Sequence, residues 1–253
     1  MKPIHRYLST KIVQSSIKAT DDNLWQIVID EVKRLGTSAD FNYIDTSQVT
    51  DMSSLFAPTR FGYFNGDISE WDTHNVRSMT SMFDGCRLFN CDLSQWDVSN
   101  VKNMNYMFTD CYKFEGKGLN KWRTPKVTNL ANMFCNCYEF NENIETWSLF
   151  LVSDIASIFK GCHNFNKPLN NWDVSNVDFM EYAFEDCFEF NQPLDNWDVT
   201  NCEAFNGMFR NCKKFDQDLS SWEIRVGERK KSNITSMFTN CPIKDEHKPQ
   251  LID

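Results

Sequence analysis

The 253-residue chain is 41% hydrophobic, which is enough to build a substantial core and excludes disorder as the overall state. Its formal net charge of −9 supplies no basic footprint, so binding to nucleic acid or to an anionic membrane surface is not expected. No run of about 18 apolar residues occurs, so the sequence predicts no membrane span.

The N-terminal segment, residues 1–43, is expected to hold a capping helix. Residues 20–36 begin with polar residues, continue with a helical apolar stripe and end at Gly36. The first twenty residues lack the apolar run and cleavage site of a signal peptide, which favours a cytoplasmic or particle-associated protein.

A repeat of 25 or 26 residues dominates the rest of the chain. Three series of residues run in step. The tryptophans are Trp71, Trp96, Trp122, Trp147, Trp172, Trp197 and Trp222. The phenylalanines followed three residues later by cysteine are Phe83, Phe108, Phe134, Phe159, Phe184, Phe209 and Phe238. The phenylalanines that open each unit are Phe64, Phe89, Phe114, Phe140, Phe165, Phe190 and Phe215.

One unit contains two periodicities, seen best in residues 89–111. Residues 93–98 alternate as a short strand does, whereas Val101, Met104, Met107 and Phe108 have the spacing of one or two helical turns capped at Ser99 and Asn100. A unit this short cannot bury its own apolar face, so neighbouring units must stack. The sequence therefore predicts a right-handed leucine-rich-repeat-type solenoid, an α/β repeat with one parallel sheet of short strands and short helices opposite.

The predicted solenoid covers residues 44–243, as seven full turns and one partial turn. In the partial turn, Ile44 replaces the tryptophan and Thr59 replaces the cysteine. Residues 227–231 insert about four residues into the last unit. The polar tail, residues 244–253, is expected to fray.

These motifs resemble the BspA-like leucine-rich repeats, in the variant found in bacterial surface proteins, mycoplasma lipoproteins and some viral proteins. The resemblance rests on WDVSNV at 96–101 and 172–177, on WDVTNC at 197–202, and on seven F-x-x-C runs. It implies a solenoid, surface exposure and a role in adhesion or protein recognition, and it implies no shared catalytic residues.

The cysteines and histidines point to packing and to no metal site. Cysteines on adjacent strands would lie about 4.8 Å apart, beyond the ~3.8 Å between Cβ atoms that a disulfide prefers. We therefore expect buried free thiols. No C-x-x-C motif occurs, and the four histidines are scattered: His5, His74, His163 and His247.

No motif for catalysis or for a cofactor is found. The chain lacks G-x-S-x-G and the glycine motifs that bind nucleotides, and its hydroxyl residues recur at caps and turns. We expect a protein that is not an enzyme and that holds no cofactor.

An acidic residue follows most of the tryptophans and forms the predicted acidic column. Its members are Asp72, Asp97, Asp173, Asp198 and Glu223. They form either a binding stripe for a basic or cation-bearing partner, or local acceptors for donors in the following turn.

Two units depart from the W-D-V-S-N-V signature after Trp122 and Trp147, and they are here called the rewritten units. There the residues expected to face outward include a basic cluster beside exposed apolar side chains, a mixture that protein interfaces favour. This basic-apolar patch consists of Lys121, Arg123, Lys126, Phe150 and Leu151. The alternative is degeneration of two repeats under weak constraint.

Two functions remain open at this point. One is a module that binds a protein or glycan through the sheet face of the solenoid, and the other is a structural spacer in a larger particle or surface assembly. A binding module needs one place that differs from the rest, whereas a spacer is monotonous along its length.

Overall fold

The computed structural model describes residues 15–57, 61–227, 230–231 and 234–252. The sequence-based interpretations of His5 and Thr59 concern residues outside these ranges. Among the described residues, no helix has both the length and the apolar character needed to cross a membrane.

The N-terminal part joins a short strand and a helix to the first repeat unit. Strand β1, Ile17–Lys18, pairs in parallel with β2, Ile44–Asp45, and helix α1 spans Leu24–Leu35. The helix buries Leu24, Val28, Ile29 and Val32 in the same core as the repeats. The amide of Gly36 donates to the carbonyl of Val32 and closes the last turn.

Between Phe64 and Cys212, each repeat unit is a succession of tight turns rather than a strand followed by a helix. In the unit that starts at Phe89, backbone hydrogen bonds join Leu93 to Trp96, Val98 to Val101, Met104 to Met107, and Phe108 to Cys111. Each bond runs from an amide to the carbonyl three residues earlier, and both ends of each turn are buried apolar residues. An apolar spacing of three therefore reflects consecutive turns here.

From Phe64 to Ile243, the described repeat units accordingly show no α-helix, and the helical segment found there is a 3-10 turn at Leu119–Lys121. The reason lies at the third position of the turns. Tyr106 and Asp110 have φ angles of 60° and 57°, a left-handed conformation that interrupts an α-helix after every turn.

Parallel contacts between units lie in the segment predicted to be helical, not in the segment predicted to be a strand. Single parallel bridges join Asp51, Ser78, Asn103, Asn129, Asp154, Phe179 and Ala204 in that order. Around Asn103, the amides of Met104, Tyr106 and Phe108 donate to carbonyls of the next unit at 2.9–3.2 Å. These bonds connect each unit to the next one along the chain. The assignment to the right-handed leucine-rich-repeat class stays a prediction.

The core is a set of aromatic columns that run through the stack. Phe83 and Phe108 stack with their ring centres 5.4 Å apart, and Trp96 and Trp122 stack at 6.4 Å. Each column repeats in successive units and is almost wholly buried. Burial of this area between units, more than within one unit, stabilises the fold.

At the C-terminal end, two strands on either side of residues 228–229 pair with each other. Strand β3, Glu223–Gly227, pairs antiparallel with β4, Lys230–Lys231. Strand β5, Gln250–Ile252, pairs in parallel with β3, after a 3-10 turn at Asp245–His247. The tail was expected to fray because it is polar, but its backbone supplies hydrogen bonds to the edge of β3.

Candidate functional site

The polar signature after each tryptophan forms hydrogen bonds within the stack. The aspartate Oδ1 accepts the amide of the residue two positions later: 2.9 Å for Asp97 and Ser99, and 3.1 Å for Asp198 and Thr200. Asp72 and Asp173 make the same bond to His74 and Ser175. Four of the five acidic positions are therefore local acceptors, and Glu223 lies in β3 opposite Gln250.

These local bonds affect the carboxylates themselves. Hydrogen bonds from the side chain and the amide of Thr200 lower the pKa of Asp198 below its usual value. The corresponding bonds from Ser99 lower the pKa of Asp97. Within the described residues, no group of three or more carboxylate, histidine or cysteine side chains is arranged to hold a metal ion.

The asparagine and tryptophan of the signature bind the preceding unit. Asn100 Nδ2 donates to the carbonyl of His74 at 2.8 Å, and Asn201 Nδ2 donates to that of Ser175 at 2.9 Å. The indole Nε1 of Trp172 donates to the carbonyl of Ile144 at 3.1 Å. The sequence predicted that Asn100 caps a helix, whereas in the structure its side chain binds the carbonyl of His74 in the preceding unit.

The cysteines have a second role that spacing alone did not indicate. All ten are free thiols. Six of the seven cysteines of the F-x-x-C runs, here called the ladder cysteines, donate to a carbonyl of the preceding unit, whereas Cys241 donates to the carbonyl of Phe215. Cys137 Sγ lies 3.0 Å from the carbonyl oxygen of Phe108, and Cys162 Sγ lies 3.0 Å from that of Phe134. Burial raises the pKa of both thiols well above its usual value.

A charged cluster missed by the sequence analysis lies on another side of the unit. Glu185 is only 3% exposed, and its carboxylate contacts Lys160 Nζ at 2.8 Å and the guanidinium of Arg210. Both cations also lie over the ring of Tyr182. Because these residues come from three successive units, the cluster joins units rather than forming an open site.

The basic-apolar patch lies where this architecture is interrupted. Arg123 and Ser148 stand where other units carry the aspartate, and Lys126 and Leu151 stand where other units carry the asparagine. All five patch residues are exposed, with 62% of Phe150 and 47% of Leu151 accessible to solvent. Their side chains are therefore available at the surface.

A cavity of about 630 Å³ opens at the patch. Residues of the units that contain Trp122 and Trp147 both contribute to its walls. The lining residues are Asn120, Lys121, Trp122, Arg123, Thr124, Pro125, Thr146 and Ser148. Two of the lining residues join the two units, since the buried Thr124 hydroxyl donates to the carbonyl of Ser148 at 3.1 Å and accepts its amide at 2.9 Å. Lys126, Phe150 and Leu151 are not among the lining residues.

The charges at the patch differ from those of the rest of the chain. Residues 116–138 contain four cations and no carboxylate side chain. Lys117 pairs with Asp92 at 3.2 Å, and Lys126 Nζ donates to Asn100 Oδ1 at 2.5 Å. Lys121 and Arg123 have no ion pair with any residue that the structure describes. Their donors are free to bind an external acceptor.

Comparisons with known proteins identify a family but no characterised relative. One family model, described as a Mycoplasma protein of unknown function, DUF285, matches residues 28–147 and again residues 128–248. The two matches together span residues 28–248, which include the part of α1 from Val28 onward and the repeat units described above. No curated protein and no solved structure matches the chain.

Proposed function

Because the chain belongs to the family described as Mycoplasma protein of unknown function, DUF285, we propose that it is a non-enzymatic interaction or adhesion module with BspA-like repeats stacked as a leucine-rich-repeat-type solenoid. The partner binds at the basic-apolar patch. The observation that carries this proposal is the cavity of about 630 Å³ lined by Lys121 and Arg123, at the place where the polar signature is lost.

Loss of the signature matters because its residues otherwise have structural partners. An aspartate or asparagine in a regular unit already bonds its own turn or the unit before it. At the patch, Arg123 and Phe150 have neither role and are exposed, so their identity is not explained by the stack. The surface of these two adjacent units differs from that of the units that keep the signature, which supports recognition at the patch.

A spacer function is the second candidate, and the uniform stacking supports it. The opening phenylalanines stack in succession from Phe64 to Phe215, with ring centres 5.5–6.4 Å apart. A stack this regular holds its ends apart without any partner. Under the spacer function, the rewritten units are tolerated variation.

The double variant Arg123→Glu with Phe150→Ser separates the two functions. Both side chains are exposed, so we expect the melting temperature to change by less than about 4 °C. Proteins and glycans captured by the immobilised full chain are identified and compared with those captured by the variant. The binding function predicts that the captured partner is lost.

The matched control is Lys33→Glu with Tyr63→Ser, which makes the same charge change and removes an exposed aromatic side chain outside the patch. This control is expected to keep the partner. Equal capture by both variants would contradict the proposed binding site, and no specific capture by the unaltered chain would favour the spacer.

A further inference from the structure

We propose that the basic-apolar patch takes an extended acidic peptide segment of a partner protein, with an apolar side chain between its carboxylates. This inference rests on the proposed function and names the chemistry of the partner. It starts from the local charge, since unpaired cations at Lys121 and Arg123 lie in a chain whose net charge is −9.

Charge complementarity selects carboxylates. The guanidinium of Arg123 presents several donors in one plane and matches a carboxylate in a two-point hydrogen bond. Lys121 lines the same cavity and adds a second cation. Elsewhere the exposed residue after tryptophan is acidic, as at Asp97 and Asp173, and repels an acidic segment. The segment is therefore held at the patch and not along the whole stack.

The apolar part of the patch favours a peptide over a phosphate polymer or a sulfated glycan. Phe150 is 62% exposed and Leu151 is 47% exposed, next to the unit that carries the cations. A nucleic acid or glycan gains little from an aliphatic leucine, whereas a leucine or phenylalanine of a peptide buries apolar surface against both.

The cavity has room for such a segment. Its volume of about 630 Å³ lies within the range of pockets that hold small ligands or a few side chains. Thr146 and Ser148 form part of the wall and offer hydroxyl groups, while Pro125 contributes a rigid apolar surface. The hydroxyl of Thr124 bonds the carbonyl of Ser148 and so connects the two units that line the cavity.

The test uses the full chain and a fluorescent synthetic peptide of eight glutamates interrupted by one phenylalanine and one leucine. Fluorescence anisotropy measures its dissociation constant at low salt. We expect saturable binding that weakens roughly tenfold or more in Lys121→Glu with Arg123→Glu. The control Lys33→Glu with Lys213→Glu makes the same charge change outside the patch and is expected to weaken binding less than about twofold.

Two further probes test whether the patch prefers a peptide with apolar side chains to a purely anionic polymer. Replacement of the phenylalanine and leucine of the peptide by serine is expected to weaken binding, and single-stranded DNA of equal charge is expected to bind more weakly than the peptide. Tighter binding of the DNA, an equal loss in both double variants, or no peptide binding would overturn the acidic-peptide inference. Capture of a non-acidic partner that Arg123→Glu with Phe150→Ser abolishes would still uphold the proposed function.

Discussion

The residues of the signature act as hydrogen-bond donors and acceptors within the stack. Aspartate closes its own turn, asparagine and tryptophan reach the unit before, and cysteine donates its thiol to a buried carbonyl. The tryptophan and cysteine satisfy buried carbonyls, whereas the bonds of the aspartate and asparagine lie at exposed positions. The repetition of these residues is thus explained by structure.

Asp198 provides a test of the local bonds. Its carboxylate accepts the amide and hydroxyl of Thr200, so Asp198→Ala is expected to cost about 1 kcal/mol of unfolding free energy at neutral pH. The pKa of Asp198 is lowered in the folded chain, so the stabilisation is present above the usual aspartate pKa and is lost as pH falls through the folded value.

Thermal melts of the unaltered chain and of Asp198→Ala at several pH values check this expectation. The difference between their melting temperatures should shrink as pH falls from about 7 to about 2. A difference that stays constant over this range would assign the stabilisation to something other than the ionised carboxylate.

The cysteines provide a second test at this scale. Burial raises the pKa of Cys91 to about 11, and the ladder thiols at Cys137 and Cys162 are more deeply buried. Because the thiolate is the reactive form, we expect slow alkylation of the native chain, with the partly exposed Cys91 and Cys241 labelled first. Mass spectrometry under denaturing, non-reducing conditions should find ten free thiols. Rapid native labelling at Cys137 would contradict the described burial.

At the scale of the repeat unit, the apolar spacing was informative about burial but ambiguous about conformation. Met104, Met107 and Phe108 are all buried, as their spacing indicated. A spacing of three residues suits a helix and also suits consecutive turns, and hydrophobicity does not distinguish them. The residue that decides is Tyr106, whose left-handed φ of 60° is not typical of tyrosine and could not be predicted from its type.

Aromatic columns make each unit dependent on its neighbours. Trp172 is 2% exposed, bonds the carbonyl of Ile144 and stacks on Trp197 with ring centres 6.3 Å apart. Trp172→Ala is expected to cost about 3–5 kcal/mol, because it leaves a cavity that the stack cannot close.

The measurement for Trp172→Ala is chemical denaturation combined with amide hydrogen exchange. Protection should fall in the units that contain Trp147 and Trp197 as well as in its own unit. Phe150→Ser removes an exposed aromatic side chain and serves as the control with little change. A loss of protection confined to a single unit would contradict stacking as the source of stability.

For the whole molecule, the sequence predicted that the residues of the basic-apolar patch are exposed, but it did not predict the cavity beside them. The departures after Trp122 and Trp147 are visible in the alignment of the units, and the alternation around Trp122 indicated that Lys121 and Arg123 face outward. The cavity could not be predicted, since it depends on where consecutive turns place two units. The pairing of β5 with β3 likewise depends on the free edge of β3, which no residue pattern in the tail indicates.

The central claim is that the stack needs the signature for structure and that only the rewritten units carry recognition. Restoring the signature tests both parts together. The variant contains Arg123→Asp, Pro125→Ser and Lys126→Asn in one unit, and Ser148→Asp, Phe150→Ser and Leu151→Asn in the next. Thr124 is kept, since Thr46 and Thr73 bond the carbonyls of Asp72 and Asp97 in the same way.

The most direct measurement is the affinity of this restored variant for the partner captured by the unaltered chain, with a thermal melt as the control for folding. We predict a melting temperature within about 4 °C of the unaltered chain, because the new residues repeat bonds found in other units. We also predict that binding is lost. Unchanged affinity in a folded restored variant would contradict the claim that the rewritten units are the site of recognition.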